Sequence, residues 1–585
     1  MKTFHRLSAF LKAHKWQYIL GVLVLLVVDG LQLITPRIIG YVTDGLTDGT
    51  MSTKTIALYS AVIVLVACFI ALLRYAWRML VMGAARDLEF WLRNKFFAHL
   101  ETLSPSFYNN NKTGDLMAHA TNDIGALRMA FGPGVVMITD ALFIPATTIV
   151  IMLFTTDIRL TVLALLPLPF IAVLMSIFGK LIQKRHKDVQ AAFSDLTDKV
   201  QENMSGIRVV KSFVQEKQEI DKFLQSNENY IDKNMRLIKV YGFMFPFVTF
   251  IASLSYIIVI GYGGMLVIKG DLTLGQFTSF IAYLGLLTWP MMAIGQVVNV
   301  LQRGAASMKR LNEIFDIQPE IFDGPAVKEH LKEDLKPSIE FKNLTFTYPG
   351  ASHPALSDIN LRIEEGKTLA VLGRTGSGKT TLVNLILRMY NTEKGMLSIG
   401  GRDLHTIPLK TLRESIGYVP QDNFLFSTTI RDNIAFSKVD MGMEKVEQAA
   451  KFAHVYDNIM EFPLQFDTIL GERGVTLSGG QKQRVSIARA IAKDPKILIL
   501  DDSLSAVDTK TEEKILEGLS QVMKNRTAIL IAHRISTIKD ADEIVVLDEG
   551  KIVERGSHEE LIALKGLYNS IYEKQLLEEK LQKEA

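Results

Sequence analysis

Length, composition and charge indicate a protein that is partly embedded in a membrane. The chain has 585 residues, too many for one hydrophobic core, and its 48% of apolar residues accompany an ordinary 22% of charged ones, so the apolar residues must be unevenly distributed. A net charge of only +3 argues against nucleic acid as a partner, and the single cysteine, Cys68, excludes an intrachain disulfide or a cysteine-built metal site.

Six apolar runs are each long enough to cross a bilayer, which takes about 20 residues at the helical rise. They lie at Trp16–Ile39, Thr55–Arg74, Pro133–Thr155, Leu160–Ile182, Phe243–Ile268 and Leu274–Val300. A basic amphipathic stretch precedes the first run, which has no small-residue cleavage site, so we expect an interfacial helix followed by a retained membrane helix.

The distribution of cations sets the orientation. The predicted outer links are short and carry few cations, whereas Tyr75–Gly132 and Gln183–Tyr241 are long and rich in Lys and Arg. These two segments, both chain ends and everything after Val300 should therefore lie in the cytoplasm of a plasma-membrane protein. If the membrane helices continue inward as rods, "SPSFYNNNKTGDL" and "SFVQEKQEIDKF" are candidates for short connecting helices, with simple solvated loops as the alternative.

The chain changes character after the sixth run. We assign residues 1–320 to a membrane α-helical domain and 321–337, which carry Pro and Gly, to a linker. Alternating strand and helix patterns then predict an α/β domain over residues 338–574. The charged tail, residues 575–585, is either an interaction helix or a frayed, solvated end.

A glycine-rich loop between a strand and a helix is the first chemical motif. It reads G-x-x-x-x-G-K-T, the P-loop pattern whose amides and helix amino terminus bind the β- and γ-phosphates of a nucleotide. Within it, Lys379 adds a positive charge and Thr380 a hydroxyl ligand for Mg²⁺. The predicted ATP-binding residues are Gly373, Arg374, Thr375, Gly376, Ser377, Gly378, Lys379, Thr380 and Thr381.

Two adjacent acids end the apolar strand in "KILILDDSLSAVD". In P-loop enzymes a carboxylate at the end of a neighbouring buried strand holds Mg²⁺, which we assign to Asp501. Asp502, one residue further, should face the attacking water.

The segment "LSGGQKQRVSIARA", Leu477 to Ala490, leads from a Ser-Gly-Gly turn into a helix, a second amino-terminal phosphate site. Here the sequence resembles the ATP-binding cassette (ABC) family, whose signature motif this is. In that family Ser478, Gly479, Gly480 and Gln481 act in trans, completing the ATP site on a partner's P-loop, so that one chain alone lacks a complete site.

Other motifs of the family match in order. The resemblance implies that Tyr348 stacks on adenine, that Gln421 senses the nucleotide and joins Thr380 and Asp501 as a Mg²⁺ ligand, that Asp508 ends a loop across the dimer, and that His533 contacts the γ-phosphate. Taken singly, Tyr348 could be a strand aromatic, Gln421 a turn residue and His533 a core histidine. The catalytic residues implied are Asp502, His533 and Gln421.

Six crossings ahead of one nucleotide domain look like half of an ABC exporter, with an exporter-type membrane domain followed by an α/β P-loop domain. The family usually has Glu where this chain has Asp502. The missing methylene shortens the arm by roughly 1.5 Å, enough to lose a useful hydrogen bond to water and slow hydrolysis by ~10²-fold. This pattern resembles the degenerate-site subunit of heterodimeric bacterial multidrug exporters, so we expect a second, non-identical half-transporter; a homodimer that tolerates Asp is the alternative.

The expected substrates are amphipathic drugs taken from the cytoplasm or inner leaflet. Asp29 and Asp140 lie in or near apolar helices, where carboxylates are costly and often functional, although hydrogen bonding between helices would also explain them. A homodimeric lipid flippase and a regulatory membrane ATPase that transports nothing are alternative functions. A peptide exporter with a processing protease is disfavoured because no extra domain precedes the first crossing.

Overall fold

The computed structural model describes residues 2–324, 327, 335–471, 477–503, 509–524 and 526–584. The chain divides into two compact units. The first consists of Met1–Glu101 and Thr113–Ile317 and is helical in its described part. The second consists of Thr102–Lys112 and Gln318–Ala585 and contains the β-sheets.

In the described part of the first unit, six helical segments are long and apolar enough to cross a membrane, which confirms the predicted number. They are Lys15–Thr47, Thr53–Leu100, Thr113–Thr155, Ile158–Ser205, Glu216–Lys269 and Leu274–Phe315. Each contains one of the predicted apolar runs. The longest has 54 residues, about 80 Å of helix against a hydrocarbon core of about 30 Å. The helices therefore continue far beyond a bilayer as rods, as expected.

Short breaks and π-turns divide these segments into individual elements. The helical elements of the first unit are Lys2–Leu7, Ser8–Ala13, Lys15–Gln32, Ile34–Thr47, Thr53–Trp77, Arg78–Met82, Gly83–Leu100, Thr113–Ala118, His119–Asp123, Ile124–Phe131, Pro133–Thr155, Ile158–Leu165, Leu168–Ser205, Ile207–Ser212, Glu216–Ile258, Val259–Gly263, Gly264–Lys269 and Leu274–Phe315.

Two short helices lie where the chain reverses between rods. Pro105–Asn110 falls inside the first predicted connecting segment, as expected. The second connecting helix is Ile207–Ser212, which ends where the predicted segment "SFVQEKQEIDKF" begins. Gly206 ends the preceding rod, and a turn at Phe213 to Gln215 starts the next one at Glu216, so most of the quoted segment belongs to a long helix.

The first and sixth membrane segments approach closely through two glycines. A Cβ on Gly275 would lie 2.0 Å from the carbonyl oxygen of Gly40, and a Cβ on Gly40 would lie 2.5 Å from that of Gly275. Asp44 strengthens this contact, because its carboxylate accepts hydrogen bonds from the Gly275 amide at 2.6 Å and from the Thr273 hydroxyl at 2.8 Å. Small residues let membrane helices pack backbone to backbone.

Two sheets form the second unit. Their strands are β1 Ile339–Phe346, β2 Leu356–Ile363, β3 Thr368–Gly373, β4 Leu397–Ile399, β5 Arg402–Asp403, β6 Ile416–Val419, β7 Ile497–Asp501, β8 Thr527–Ile531, β9 Glu543–Asp548 and β10 Lys551–Gly556. The smaller sheet has the order β2-β1-β4-β5 and is antiparallel, whereas the larger has the order β10-β9-β3-β8-β7-β6 and is parallel apart from β10.

Helices cover both faces of the larger sheet. Leu498 and Leu500 of β7 join one hydrophobic cluster, while Ile497 and Ile499 join the other, so alternate residues of a wholly buried strand face opposite cores. The helical elements of this unit are Pro105–Asn110, Lys379–Ile386, Leu404–Thr406, Leu409–Ser415, Ile430–Ile434, Ala435–Ser437, Met443–Phe452, Tyr456–Met460, Gln465–Asp467, Gly479–Ala492, Thr509–Met523, Ile535–Ile538, His558–Leu564 and Leu567–Glu584.

The last helix runs through the predicted tail. It extends from Leu567 to Glu584 without a break at Lys574, so residues 575–584 of the tail are helical.

The glycine contact gives a test of the membrane packing. Replacing Gly275 with Ala should destabilise the detergent-purified protein by about 1–3 kcal/mol, because the new methyl would overlap backbone that cannot move aside. Gly264→Ala is the matched control, since a Cβ there meets nothing within 4 Å. Thermal unfolding followed by size-exclusion chromatography measures both; equal melting temperatures would contradict the packing described.

Candidate nucleotide site

The P-loop joins β3 to the helix Lys379–Ile386. Gly376 and Gly378 have φ of +85° and +99°, a backbone region that favours glycine. A Cβ at Gly378 would also lie 2.7 Å from the carbonyl oxygen of Ala355, and one at Gly373 would lie 2.3 Å from that of Leu547. The three glycines are thus required by the conformation and packing of the loop itself, as the motif predicts.

Lys379 is buried at the start of the P-loop helix. Its Nζ donates hydrogen bonds of 2.8 Å to the carbonyl oxygens of Gly373 and Arg374, so the loop curls around the ammonium group. Burial lowers the pKa of Lys379, and the charges of Asp501 and Asp502 oppose that shift. A cation held in this position attracts phosphate oxygens.

Asp501 fits a magnesium ligand. It ends β7 at 1% exposure, and among the described residues no hydrogen-bond donor meets its Oδ2. Burial raises its pKa, and a hydrogen bond with Thr380 opposes that shift. A buried carboxylate oxygen without a donor is costly unless a cation meets it, and Mg²⁺ prefers carboxylate and hydroxyl oxygens. Asp501 and Thr380 would hold Mg²⁺, which would neutralise charge on the phosphates.

The sheet order corrects one expectation. The strand ending in Asp501 is not the direct neighbour of the P-loop strand, because β8 lies between β3 and β7. All three are parallel, with Val371 of β3 and Asp501 of β7 each paired with Ile531 of β8. Parallel strands end at one edge, so the groups still meet there.

Asp502 and His533 share a cavity of about 100 Å³, which is lined also by Glu512, Arg534 and Thr537. Asp502 has a positive φ of +46°, and its backbone amide donates to the carbonyl oxygen of Ile531 at 2.9 Å. The predicted base and the predicted switch histidine thus lie at one cavity.

Tyr348 follows β1 and is half-buried. Its hydroxyl donates to Thr381 Oγ1 at 3.0 Å, and its ring meets those of Phe346 and Tyr390 edge to face, with centroids 5.1 Å and 5.0 Å away. The tyrosine is therefore fixed against the P-loop helix. Tyr390 also accepts a hydrogen bond from Asn109 in the helix Pro105–Asn110, 3.1 Å long, within the second unit.

Gln421 lies exposed on the loop after β6, at the same edge of the larger sheet. Beyond it is an aromatic patch that sequence reasoning missed: Phe424, Phe426 and Phe436, all exposed. Phe426 stacks on Phe436 with centroids 4.7 Å apart. Arg489 fixes this loop, donating to the carbonyl oxygen of Phe424 at 2.9 Å, and burial lowers its pKa to about 10. Three Phe residues in "NFLFSTTIRDNIAF" were the available signal.

The signature forms a capped helix. Ser478 caps Gly479–Ala492: its Oγ accepts from the Gln481 amide at 3.3 Å, while Gln481 Oε1 accepts from the Ser478 amide at 2.9 Å. Ser478 and Gly479 are exposed, and Gly480 is partly so. The Ser and Gln of the motif thus hold the helix start in shape, and its amino terminus is open to a ligand.

Some of the predicted site residues meet at one edge of the larger sheet, whereas others do not. The structure brings Lys379, Thr380, Asp501, Asp502 and His533 to one edge of the sheet. Arg374 and Thr375 are exposed on the P-loop, whereas the side chain of Ser377 is buried with no hydrogen-bond partner for Oγ among the described residues. Asp508 lies outside the described residues.

Comparisons with known proteins agree on the family. Residues 18–291 match the ABC transporter transmembrane region, and residues 356–505 match the ABC transporter domain. The chain is 39% identical to a probable multidrug resistance ABC transporter ATP-binding/permease protein, YheI of Bacillus subtilis, over 98% of this chain and 97% of that one. The chain belongs to the ABC transporter family.

Two further relatives extend the comparison. The multidrug resistance-like ATP-binding protein MdlA of Escherichia coli is 38% identical over 99% of this chain and 97% of its own. The structure of a bacterial Atm1-family ABC exporter with ATP bound superposes with a TM-score of 0.75 at 27% identity, covering 97% of this chain and 99% of that one. The predicted fold class is confirmed, and this ABC transporter is a transport ATPase and a multi-pass plasma-membrane protein whose nucleotide domain is cytoplasmic.

Burial of Asp501 generates a test that separates binding from stability. Its pKa in the folded state is raised, so folding favours the protonated form, and stability falls as pH rises above the unfolded-state value of about 3.9 through the folded-state pKa. Asp501→Asn should therefore raise the melting temperature of the nucleotide-free protein at pH 7.5, by roughly 2–4 °C per kcal/mol regained. The gain should disappear at acidic pH.

The same variant should lose the additional stabilisation that Mg²⁺ gives to ATP-bound protein. Thermal unfolding across pH, with ATP and EDTA or with ATP and Mg²⁺, measures both effects. Lys410→Ala, an exposed change on another helix, is the control. An Asp501→Asn protein that keeps a full Mg²⁺ response would exclude Asp501 as a ligand.

Proposed function

We propose that this ABC transporter is one half of a heterodimeric multidrug exporter, in which it supplies a slow ATP site and an intact signature for its partner. The observation that carries the proposal is Asp502, a short carboxylate at the position of the water-polarising base. Bound Mg²⁺–ATP would close the two nucleotide domains and hydrolysis would reset them, turning the transport cavity outward and back.

The backbone around Asp502 supports slow hydrolysis. The amide of Asp502 is tied to β8 by its bond to Ile531, and the following Ser503 is 3% exposed. A residue fixed on both sides cannot advance by the roughly 1.5 Å that the missing methylene would have spanned. Chemistry is sensitive to displacements of this size.

The signature helix supports a partner with a better base. Its capping box is complete and its first residues are exposed, so the helix start is preorganised for phosphate. In the family arrangement this helix completes the partner's site. An intact signature beside a weak base is useful when the partner supplies the long carboxylate.

A second subunit would also cover apolar residues on the cytoplasmic rods. Outside the predicted bilayer, exposed apolar side chains follow both rods: Phe193, Val200, Met204, Ile220, Leu224 and Ile231. Val209, on the connecting helix Ile207–Ser212, is exposed as well. The connecting turn adds Phe213 and Val214, 71% and 79% exposed. Val214 has a φ of +55°, which is strained for a β-branched residue and is typical of a functional contact. The partner's nucleotide domain is the proposed docking surface for this turn.

Drug transport is favoured by the names of the relatives, YheI and MdlA, which both refer to multidrug resistance. A homodimeric lipid flippase is the second candidate, because ATP-dependent lipid A-core flippases are 36% identical over 84–88% of this chain. A homodimeric flippase would have no reason to carry a slowly hydrolysing ATP site, so Asp502 argues against this candidate.

If this chain carries the slow ATP site and its partner the fast one, the chain purified alone should have low ATPase activity. Purified without a partner, it should hydrolyse ATP slowly, and Asp502→Glu should raise the rate by ~10–10²-fold, because the longer arm regains the hydrogen bond to water. Phosphate release from protein in lipid nanodiscs measures this. Turnover without the partner requires two copies of this chain to pair. Ser478→Ala in the Asp502→Glu background should therefore remove the gain, because such a pair lacks the capped signature.

Brisk turnover by the unaltered lone chain would contradict the heterodimer. If phospholipids then stimulated that turnover, the flippase would be favoured.

Two membrane carboxylates test the substrate class. Asp29 is 3% exposed, Asp140 is partly buried, and each has a buried oxygen with no hydrogen-bond partner among the described residues. We expect Asp140→Asn to lower export of a cationic dye severalfold and to leave a neutral dye unchanged, because a carboxylate favours cations. Dye efflux from cells that express both half-transporters measures this; equal losses for both dyes would remove the charge argument.

A further inference from the structure

The C-terminal helix Leu567–Glu584 is anchored firmly at its start. The carboxylate of Glu554 on β10 accepts hydrogen bonds from the backbone amides of Leu567 and Tyr568, the latter 2.9 Å long. Tyr568 is fully buried and its hydroxyl bonds to His558 Nδ1 at 2.6 Å. The helix therefore has a fixed direction relative to the sheet.

Two turns further along, Gln575 reaches the loop that carries His533. Its Nε2 donates to the carbonyl oxygen of His533 at 2.6 Å, and its Oε1 accepts from the amide of Ile535 at 2.9 Å. One side-chain amide thus binds the backbone on both sides of Arg534. Only this orientation satisfies both groups, because a flipped amide would set donor against donor and acceptor against acceptor.

A second contact holds the same loop from its other side. Glu512, 2% exposed in the helix Thr509–Met523, accepts hydrogen bonds from Arg534 and, at 2.5 Å, from the hydroxyl of Thr537. Glu512 fixes the side chains that follow His533, whereas Gln575 fixes the backbone. The position of His533 is thereby set by two helices outside the strand that precedes it.

We propose that Gln575 is a positioning residue for His533, through which the C-terminal helix sets how that histidine meets the γ-phosphate. This inference rests on the family resemblance, which implies that His533 contacts the γ-phosphate of ATP. Loss of the Gln575 amide frees the carbonyl of the histidine itself, so the imidazole shifts relative to Asp502 across their shared cavity. ATP affinity should change little, because the P-loop makes no contact with Gln575 among those described.

Hydrogen exchange tests the clamp without any need for turnover. In the full-length chain, Gln575→Met keeps the length of the side chain but removes both hydrogen bonds, and we expect peptides covering residues 533–538 to exchange about 10-fold faster. Lys574→Ala is the matched control: Lys574 is exposed and, among the described residues, its ion pair is with the solvent-facing Glu578. Exchange that Gln575→Met leaves unchanged would overturn the clamp.

A double-mutant cycle tests the positioning role. Single-turnover ATP hydrolysis by the lone chain should fall about 10-fold in Gln575→Met, with the Kd for ATP within about twofold of the unaltered value and Lys574→Ala unaffected. Gln575→Glu keeps the bond to Ile535 but repels the His533 carbonyl, so its rate should lie between. In a His533→Ala background the same substitution should change the rate by less than about twofold.

Two other outcomes of the double-mutant cycle would overturn the proposal. If losses from Gln575→Met and His533→Ala multiply, Gln575 contributes only to general stability and the proposal fails. If His533→Ala alone leaves hydrolysis unchanged, the role given to His533 is wrong and the proposal falls with it.

Discussion

The attraction between Lys379 and Asp501 at the carboxyl edge of the larger sheet is the interaction on which the nucleotide site depends. Burial alone would drive both groups towards neutrality, and each opposes that shift in the other. The mutual attraction does not cancel the cost of burial: the Lys379 ammonium group contacts loop carbonyls, and Asp501 Oδ2 meets no donor among the described residues. A phosphate oxygen and Mg²⁺ would be better partners for these two groups. Phosphate and Mg²⁺ would therefore each add a partner of opposite charge to a group that burial penalises.

The rest of the α/β unit serves to bring loops to that edge. Parallel strands β3, β8, β7 and β6 end side by side, so the P-loop, the His533 loop, the two aspartates and Gln421 leave the sheet on the same side. Glycines permit the tight turn of the P-loop. The helices that carry Glu512 and Gln575 hold the loop of His533 in place. Strands position reacting groups more precisely than loops do, and hydrolysis is sensitive to small displacements of those groups.

Periodicity and motif spacing are local signals, so the sequence was sufficient for the number of membrane segments, the α/β pattern and the P-loop. His533 was assigned through the family resemblance. The sequence could not show that β8 separates β3 from β7, since strand order depends on long-range pairing. The connecting helix Ile207–Ser212 was placed too late because charged residues after Val214 resemble a loop as much as a rod.

Gln575 shows why the remaining part of the site stayed hidden in the sequence. Nothing in "EKQLLEEKLQKEA" distinguishes a glutamine that binds a backbone 42 residues away from one that faces water. The distinction arises only when Glu554 and Tyr568 fix the helix direction. The same reasoning applies to Asp502: whether a carboxylate one methylene shorter still reaches water depends on how firmly its neighbours are held. The amide of Asp502 is bonded to β8, and two helices are bonded around His533, so neither group has freedom to compensate for the other. This constraint is the reason for our proposal that one missing methylene slows hydrolysis at this site.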